Sequence, residues 1–262
     1  MDAVDGSSTA FIRRKSLLTT VTRVLPQRLR SYLQRRRRLV ALRRGIWRLS
    51  QRVRGYFRER HRWFVLRRAI RSVRRNPSGS DRVWRDLVYG WGGGWSAGSE
   101  YLDAVAAAAV AERGPILECG SGLTTLVLAA IARRTGSSVW TLEDDPDWFR
   151  AIESGLERLR LNADVRLTPL RSYGDFDWYG TDPSLLPTFS LVVCDGPAGS
   201  TRGGRLGLLP VLRGRLARGC TILLDDASRA SEQEALRRWA SQTPLTYEIK
   251  GHERPYAVVT LT

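Results

Sequence analysis

Apolar residues follow two different patterns along this chain, and the change falls near residue 76. From Gln27 to Arg75 there is neither a proline nor a glycine pair. Leu39, Leu42, Ile46, Leu49, Val53, Tyr56, Trp63 and Ile70 recur there at intervals of three, four or seven. That spacing predicts one long amphipathic helix with arginine on its other faces, and Gly45 and Gly55 are the places where it would break. Asn76-Pro77-Ser78-Gly79-Ser80 closes it. Helices are then expected at Asp81–Tyr89 and Ser99–Arg113, separated by the loop Gly90-Trp91-Gly92-Gly93-Gly94-Trp95. From residue 115 the pattern alternates. Short apolar runs at Pro115–Cys119, Ser138–Glu143, Asp164–Leu167, Phe189–Asp195 and Cys220–Asp225 are separated by helical stretches at Leu123–Arg134, Trp148–Leu161 and Leu206–Arg218. Such alternation predicts β-α-β units in a doubly wound α/β sheet. The last two runs, Leu245–Lys250 and Tyr256–Leu261, are joined by a short polar turn and read as an antiparallel hairpin ending the sheet. The expected organisation is a loose N-terminus (1–26), an arginine-rich helical extension (27–75), a linker (76–84) and one α/β domain (85–262).

Charge sharpens the division. Residues 1–75 hold 23 basic residues against three acids, a balance of +20, whereas the remainder holds 20 bases against 23 acids, a balance of −3. Parts so unlike in charge are expected to have different roles. The extension has three readings. It lies on an anionic membrane surface, with its aromatic residues at the lipid boundary. It is a nucleic-acid arm that neutralises phosphates. Or its stripe packs on protein. Large aromatics throughout the stripe favour the membrane surface, because a purely electrostatic arm does not need them. No run approaches the roughly 18 apolar residues of a membrane span. The acidic start Met1-Asp2-Ala3-Val4-Asp5 does not read as a secretory peptide. Cys119, Cys194 and Cys220 each sit at or near the end of an apolar run, the pattern of reduced, buried thiols, so a cytoplasmic protein is expected, at most peripheral at the inner face of the membrane. With only His61 and His252, histidine metal sites and Ser-His triads have almost no material.

In an open parallel sheet, ligands bind beyond the carboxyl ends of the strands. The first such end is Glu118-Cys119-Gly120-Ser121-Gly122, followed directly by a helix. Gly120 and Gly122 permit a tight turn and close approach of a ligand to the backbone, with Ser121 and Thr124 beside them. An acid two positions before the first glycine would repel a pyrophosphate, so a zwitterionic ligand suits the turn better than a dinucleotide. About 20 residues on, Glu143-Asp144-Asp145 ends the second strand, where a ribose diol would be bound.

These residues resemble the class I S-adenosylmethionine-dependent methyltransferases over about residues 85 to 262. The family's glycine motif matches Glu118, Gly120 and Gly122, and its ribose-binding acid matches Glu143. Leu-Glu-Cys-Gly-Ser-Gly-Leu-Thr-Thr, with Asp-Gly-Pro later, looks like a bacterial O-methyltransferase branch. The resemblance implies a Rossmann-like seven-stranded sheet and S-adenosylmethionine as cofactor, bound by Glu118, Gly120, Ser121, Gly122, Thr124, Glu143, Asp144 and Asp195. It also implies methyl transfer to a small hydroxylated or saccharide acceptor. An RNA methyltransferase served by the basic extension, and a non-catalytic cofactor-binding protein at a membrane, are the rival readings. Nucleic acid is the less favoured partner, because the domain's own balance is −3 and it lacks an Asn/Asp-Pro-Pro-Tyr-type motif.

Three acids end the next strands: Asp195, before Gly196-Pro197, and Asp225-Asp226. Brought together they would hold Mg²⁺, as in the metal-dependent catechol-type O-methyltransferases, or one would act as general base toward a hydroxyl. Two departures stand against the metal: no Lys follows Asp195 within a turn, and Asp226 stands where an amide is usual. The plainer alternative is that Asp195 orders its turn and Asp225-Asp226 cap a helix. Arg202 and Arg205, on the glycine-rich loop that follows Asp195, suit an anionic acceptor, and that stretch resembles the glucuronoxylan O-methyltransferases. Solvated loop charge is the alternative. Trp91 with Trp95, and Trp178 with Tyr179, are expected either as a lid or sugar platform or as core.

Overall fold

The computed structural model of the protein describes residues 26–92 and 97–262, so the expected loose segment up to residue 25 and Trp95 lie outside the described residues. The chain divides into two units, Met1–Glu59 and Arg60–Thr262. The first helix, α1 (Gln27–Arg75), runs unbroken for 49 residues, through both Gly45 and Gly55. In the first unit the large side chains Trp47, Val53, Tyr56 and Phe57 are exposed; the side chains of Leu39, Leu42, Ile46 and Leu49 are outside those described.

In the second unit the end of the stripe packs on protein, the third of its readings. Leu66, Ala69, Ile70 and Val73 are buried at three- and four-residue spacing, while Phe64 is exposed. They join one core cluster with Trp84 and Leu87 of α2 (Asp81–Trp91) and Tyr101, Leu102 and Val105 of α3 (Ser99–Ala111). Gly90 makes this contact possible. A Cβ there would stand 2.8 Å from the backbone of Leu66, so only glycine lets the two helices approach this closely. Arg62 donates to the carbonyl of Trp91 (2.6 Å), and the Arg158 guanidinium lies 3.6 Å over the Trp63 ring. The break at Asn76 is therefore a turn between packed helices, and the domain begins at Arg60 where residue 85 was expected. Seven arginines between 60 and 75 move with that boundary, so the compact unit holds 27 bases against 23 acids. Its expected negative balance becomes positive.

The sheet has seven strands: β1 (Ile116–Cys119), β2 (Val139–Glu143), β3 (Asp164–Leu167), β6 (Phe189–Cys194), β7 (Leu216–Leu224), β8 (Leu245–Lys250) and β9 (Tyr256–Leu261), in the order β3-β2-β1-β6-β7-β9-β8. All pairings from β3 to β7 are parallel, and β9 runs antiparallel to both β7 and β8. Alternate strand residues face opposite layers. Ile116, Leu191, Val193 and Leu223 pack on the helical face with α2, α3, α4 (Leu123–Thr135) and α5 (Pro146–Leu159). Leu117, Val192, Cys194 and Ile222 face α6 (Leu208–Leu212) and α7 (Ala230–Gln242). All three cysteines are buried and unpaired.

Two elements depart from expectation. The helix expected over Leu206–Arg218 shrinks to α6 and a short turn, because the next strand starts at Leu216 and carries a register shift opposite Phe189–Leu191. A small hairpin, β4 (Leu170–Ser172) with β5 (Asp177–Tyr179), occupies a stretch to which the sequence pattern assigned no element. Three-residue strands are too short to show a period of two. Trp178 and Tyr179 are fully buried there, which makes them core. Trp91 stacks on Trp148, 6.4 Å between ring centroids, and is likewise packed against protein.

The revised boundary has a direct test. Leu66→Ala should lower the unfolding free energy in urea by about 2–5 kcal/mol. Phe64→Ala, two residues away and 65% exposed, should change it by less than about 0.5 kcal/mol. Equal effects would place the boundary downstream of both.

Candidate active site

β1 and β6 end side by side. The backbone N–H of Asp195 and that of Gly196 both donate to the carbonyl of Cys119 (3.0 and 2.6 Å), and Gly120 donates to Leu142 (2.9 Å). Gly120 has φ +84°, and a Cβ there would lie 2.6 Å from the Gly196 nitrogen. A Cβ on Gly196 would meet the Tyr179 hydroxyl at 2.5 Å and Gly120 Cα at 2.6 Å. The turns after β1 and β6 therefore fit only without side chains. Gly122 differs, since its φ of 174° is ordinary extended backbone and a Cβ there would meet nothing within 4 Å. It opens on free space beside the turn.

Two glutamates flank that space. Glu118 is fully buried on β1. Its Oε2 accepts from the hydroxyls of Thr125 (2.7 Å) and Thr141 (2.8 Å), while Oε1 is buried with no partner. Burial pushes its pKa up to about 7, against the lowering effect of hydrogen bonds from Thr124, Thr125 and Thr141. A buried carboxylate with one oxygen unsatisfied is the natural counterpart of a cationic donor. Glu143, at the end of β2, accepts at Oε2 from the Ser121 backbone (2.7 Å) and hydroxyl (2.6 Å), and at Oε1 from Asp145 N–H (2.8 Å). It is thereby held against the glycine turn. Asp144 is half-buried, its pKa raised by burial and then by Glu143. Asp145 faces outward and caps α5, accepting from Asp147 and Trp148 N–H.

The three expected acids do converge. Asp195, Asp225 and Asp226 place carboxylate oxygens within 4.8 Å of one another. Neither of the last two caps α7, which begins at Ala230 after Arg229. Asp195 is the most open, its side chain 26% exposed against 13% for Asp226 and none for Asp225. Burial, then the Asp225 charge, push the Asp195 pKa up to about 8, and burial followed by Asp226 raises that of Asp225.

Arg205 is not on a mobile loop at the mouth. It is 1% exposed, and its Nη2 lies 3.2 Å from Asp195 Oδ1 and 3.1 Å from Asp226 Oδ2. Its Nη1 donates to the Asp225 carbonyl and its Nη2 to that of Asp195. Arg229 reaches Asp226 at 2.9 Å, and Arg254 stands 3.7 Å from Asp225 and 3.6 Å from Asp226. The acids thus already carry cationic partners, and Mg²⁺, which needs oxygens at about 2.0–2.1 Å in near-octahedral array, does not fit among them. Arg202 lies elsewhere: it pairs with Asp177 (2.5 Å) and donates to Ser172 Oγ (2.6 Å), fastening the loop to the β4–β5 hairpin. The pair expected to act together on an acceptor is split.

Sequence reasoning missed Thr125, Thr141, Arg229 and Arg254. Thr125 had a legible signal at the third position of the helix after the glycine turn, where its hydroxyl accepts from Gly122 N–H (2.9 Å). Tyr179, expected with Trp178 as lid, platform or core, is core, and its buried hydroxyl has no partner.

The strand order, the reversed last strand and the acids at the ends of β1 and β2 decide the fold. The chain has the class I methyltransferase fold. Among solved structures it is similar to a Staphylococcus aureus protein assigned as a caffeoyl-CoA O-methyltransferase (TM-score 0.52, 11% identity, covering 75% of this chain and 99% of that one). Other neighbours are the precorrin-6y C5,15-methyltransferase of Geobacter metallireducens (TM-score 0.48, 14% identity, 64% and 90% covered) and the SAH-bound methyltransferase PaMTH1 of Podospora anserina (0.48, 17%, 64% and 80%). No family model and no curated protein matches the sequence. At 11% identity the first of these likenesses speaks for the fold alone.

The two glycines of the turn separate architecture from ligand space. Gly120→Ala should lower the melting temperature by several degrees, because it meets backbone at a positive φ. Gly122→Ala should leave it unchanged. A thermal melt of both variants checks this, and a large drop for Gly122→Ala would contradict the open space described.

Proposed function

We propose that this protein is an S-adenosylmethionine-dependent methyltransferase acting on a hydroxyl oxygen of a small or saccharide acceptor. The observation that carries the reading is the pair of buried glutamates facing the Gly120–Gly122 turn. One has an unsatisfied oxygen, and the other is fixed to the turn through Ser121. When bound, S-adenosylmethionine supplies an activated methyl group on a sulfonium. Glu118 Oε1 accepts from the donor's amino group, Glu143 accepts from the ribose hydroxyls in exchange for Ser121 Oγ, and Gly122 leaves room for the ligand to lie on the backbone. Asp195, the most exposed of the three acids, takes the proton of the acceptor hydroxyl as general base, its raised pKa suiting proton transfer near neutral pH. Placing both reactants in line supplies much of the rate in such a displacement.

Calorimetric titration of S-adenosylmethionine into the full chain checks this directly. Binding is expected with EDTA present. Glu143→Ala should weaken it at least about tenfold, corresponding to loss of one charge-assisted contact. Absence of binding by the unmodified chain would remove the methyltransferase reading altogether.

For the first unit we propose an anionic membrane surface as partner. No described helix is long and apolar enough to cross a membrane. Residues 1–59 hold 16 bases against three acids, and exposed Trp47, Val53 and Phe57 alternate with exposed Arg54 and Arg58. Such a face buries apolar groups at the lipid boundary and sets guanidiniums toward headgroups. In flotation assays the full chain should rise with phosphatidylglycerol vesicles at low salt and far less with phosphatidylcholine. Trp47→Ser/Phe57→Ser should lose most of the binding. Retention of RNA with no vesicle binding would favour the nucleic-acid arm, which the positive balance of the second unit no longer opposes.

A further inference from the structure

We propose that Arg205 is a built-in cation that occupies the centre of the Asp195–Asp225–Asp226 cluster, so that this site works without a divalent metal. The exclusion of metal stands on geometry alone; its consequence for methyl transfer rests on the function proposed above.

Three carboxylates whose oxygens approach within 4.8 Å repel one another strongly in a buried setting and need positive charge among them. A divalent ion does this with oxygens at about 2 Å and a full coordination shell. A guanidinium does it with hydrogen bonds near 3 Å spread over a flat fork. The observed contacts are of the second kind. Nη2 of Arg205 lies 3.2 Å from Asp195 Oδ1 and 3.1 Å from Asp226 Oδ2, so one nitrogen already bridges two of the three carboxylates. The same guanidinium also donates to the main-chain carbonyls of Asp195 and Asp225, so it straps the ends of β6 and β7 together.

The side chain has little freedom to leave. Behind it, Glu232 is fully buried, with Oε1 3.9 Å from Arg205 Nε. The loop that carries it is clamped on both sides. A Cβ at Gly203 would stand 2.5 Å from the Phe176 side chain, and one at Gly204 would stand 2.8 Å from that of Ser231. The next residue, Leu206, is buried and accepts from Trp239 Nε1 at 2.8 Å. Arg229 and Arg254 stand on the same acids, which leaves the cluster ringed by guanidiniums. Arg205 is thus a positioning residue: it holds Asp195 by both its carbonyl and its carboxylate and sets where the proton acceptor stands.

Mn²⁺ is the probe, followed by electron paramagnetic resonance and water-proton relaxation on the EDTA-stripped full chain. The unmodified protein should bind no Mn²⁺ at concentrations up to about 1 mM. Arg205→Met, which keeps bulk and removes charge, should gain at least about tenfold in Mn²⁺ affinity, and adding Asp226→Asn should abolish the gain. Stoichiometric Mn²⁺ binding by the unmodified protein that is lost in Asp195→Asn or Asp226→Asn overturns the proposal. So does a folded Arg205→Met variant that gains nothing. If Arg205→Met does not fold, the titration of the unmodified protein with its aspartate variants decides alone. Loss of S-adenosylmethionine binding in calorimetry would remove the methyltransferase reading and leave the Mn²⁺ result standing, so the two fail separately.

Discussion

The site depends on a place where two turns meet with no side chain between them. Gly120 and Gly196 approach so closely that a Cβ on either would enter the other's backbone. That contact continues the β1–β6 ladder past the last paired residues, Cys119 and Cys194. It also fixes the spacing among the groups that matter. Glu118 stands one residue before Cys119, Asp195 one residue after Cys194, and Ser121, which carries Glu143, one residue beyond Gly120. A side chain at either glycine would separate the strand ends and move all of these at once. Gly122 belongs to the same motif by sequence but answers to a different constraint, since its neighbourhood is open space. One motif thus combines a glycine required by the fold with a glycine required by whatever lies on it.

Electrostatics divides the strand ends in two. On the β1–β2 side negative charge is left uncompensated. Glu118 is buried among three threonine hydroxyls, which only partly offset burial, and its pKa stays raised. On the β6–β7 side negative charge is compensated within the protein, by Arg205 from inside and by Arg229 and Arg254 from outside. An uncompensated buried acid is a demand for an external cation, and a compensated cluster is not. The asymmetry is what the proposed function requires: a cationic donor on the first side and, on the second, a neutral hydroxyl with a nearby base.

Legibility in the sequence followed how local each cause is. The parallel strands and the closing hairpin were readable because apolar runs of four to six residues bounded by polar turns have few other interpretations; Leu245–Lys250 and Tyr256–Leu261 appear with the expected limits. The glycine turn and Glu143 were readable because their chemistry is carried by spacing within one β-α-β unit. The β4–β5 hairpin was not, since three-residue strands have no period to detect. The start of the domain was misplaced for a different reason. Ile70 was in the expected stripe, but Leu66, Ala69 and Val73 sit among arginines, and composition hid the rest of an apolar face that the approach of Gly90 reveals. The partner of Asp195 was hidden by distance, because nothing in the sequence says that Arg205 folds back under β6 and β7 while Arg202, three residues earlier, turns away to Asp177.

Arginine makes the same point across the whole chain. Its abundance invites a single explanation, yet burial divides it into different kinds of work. Arg54 and Arg58 are exposed on a helix face between aromatic residues, where a planar, weakly hydrated cation suits an anionic surface. Arg62 and Arg158 act within the protein, one on the carbonyl of Trp91 and the other on the face of Trp63, and so join α1 to the elements it packs on. Arg205 is enclosed and does what no exposed arginine among the described residues does, binding two strand ends and two carboxylates with one fork. Lysine would fail in that last position, because a single ammonium on a flexible stem cannot reach both carbonyls and both acids at once. A chain with 41 arginines and two lysines therefore carries its decisive cation where counting could not find it, in an arginine that is buried to 1% exposure.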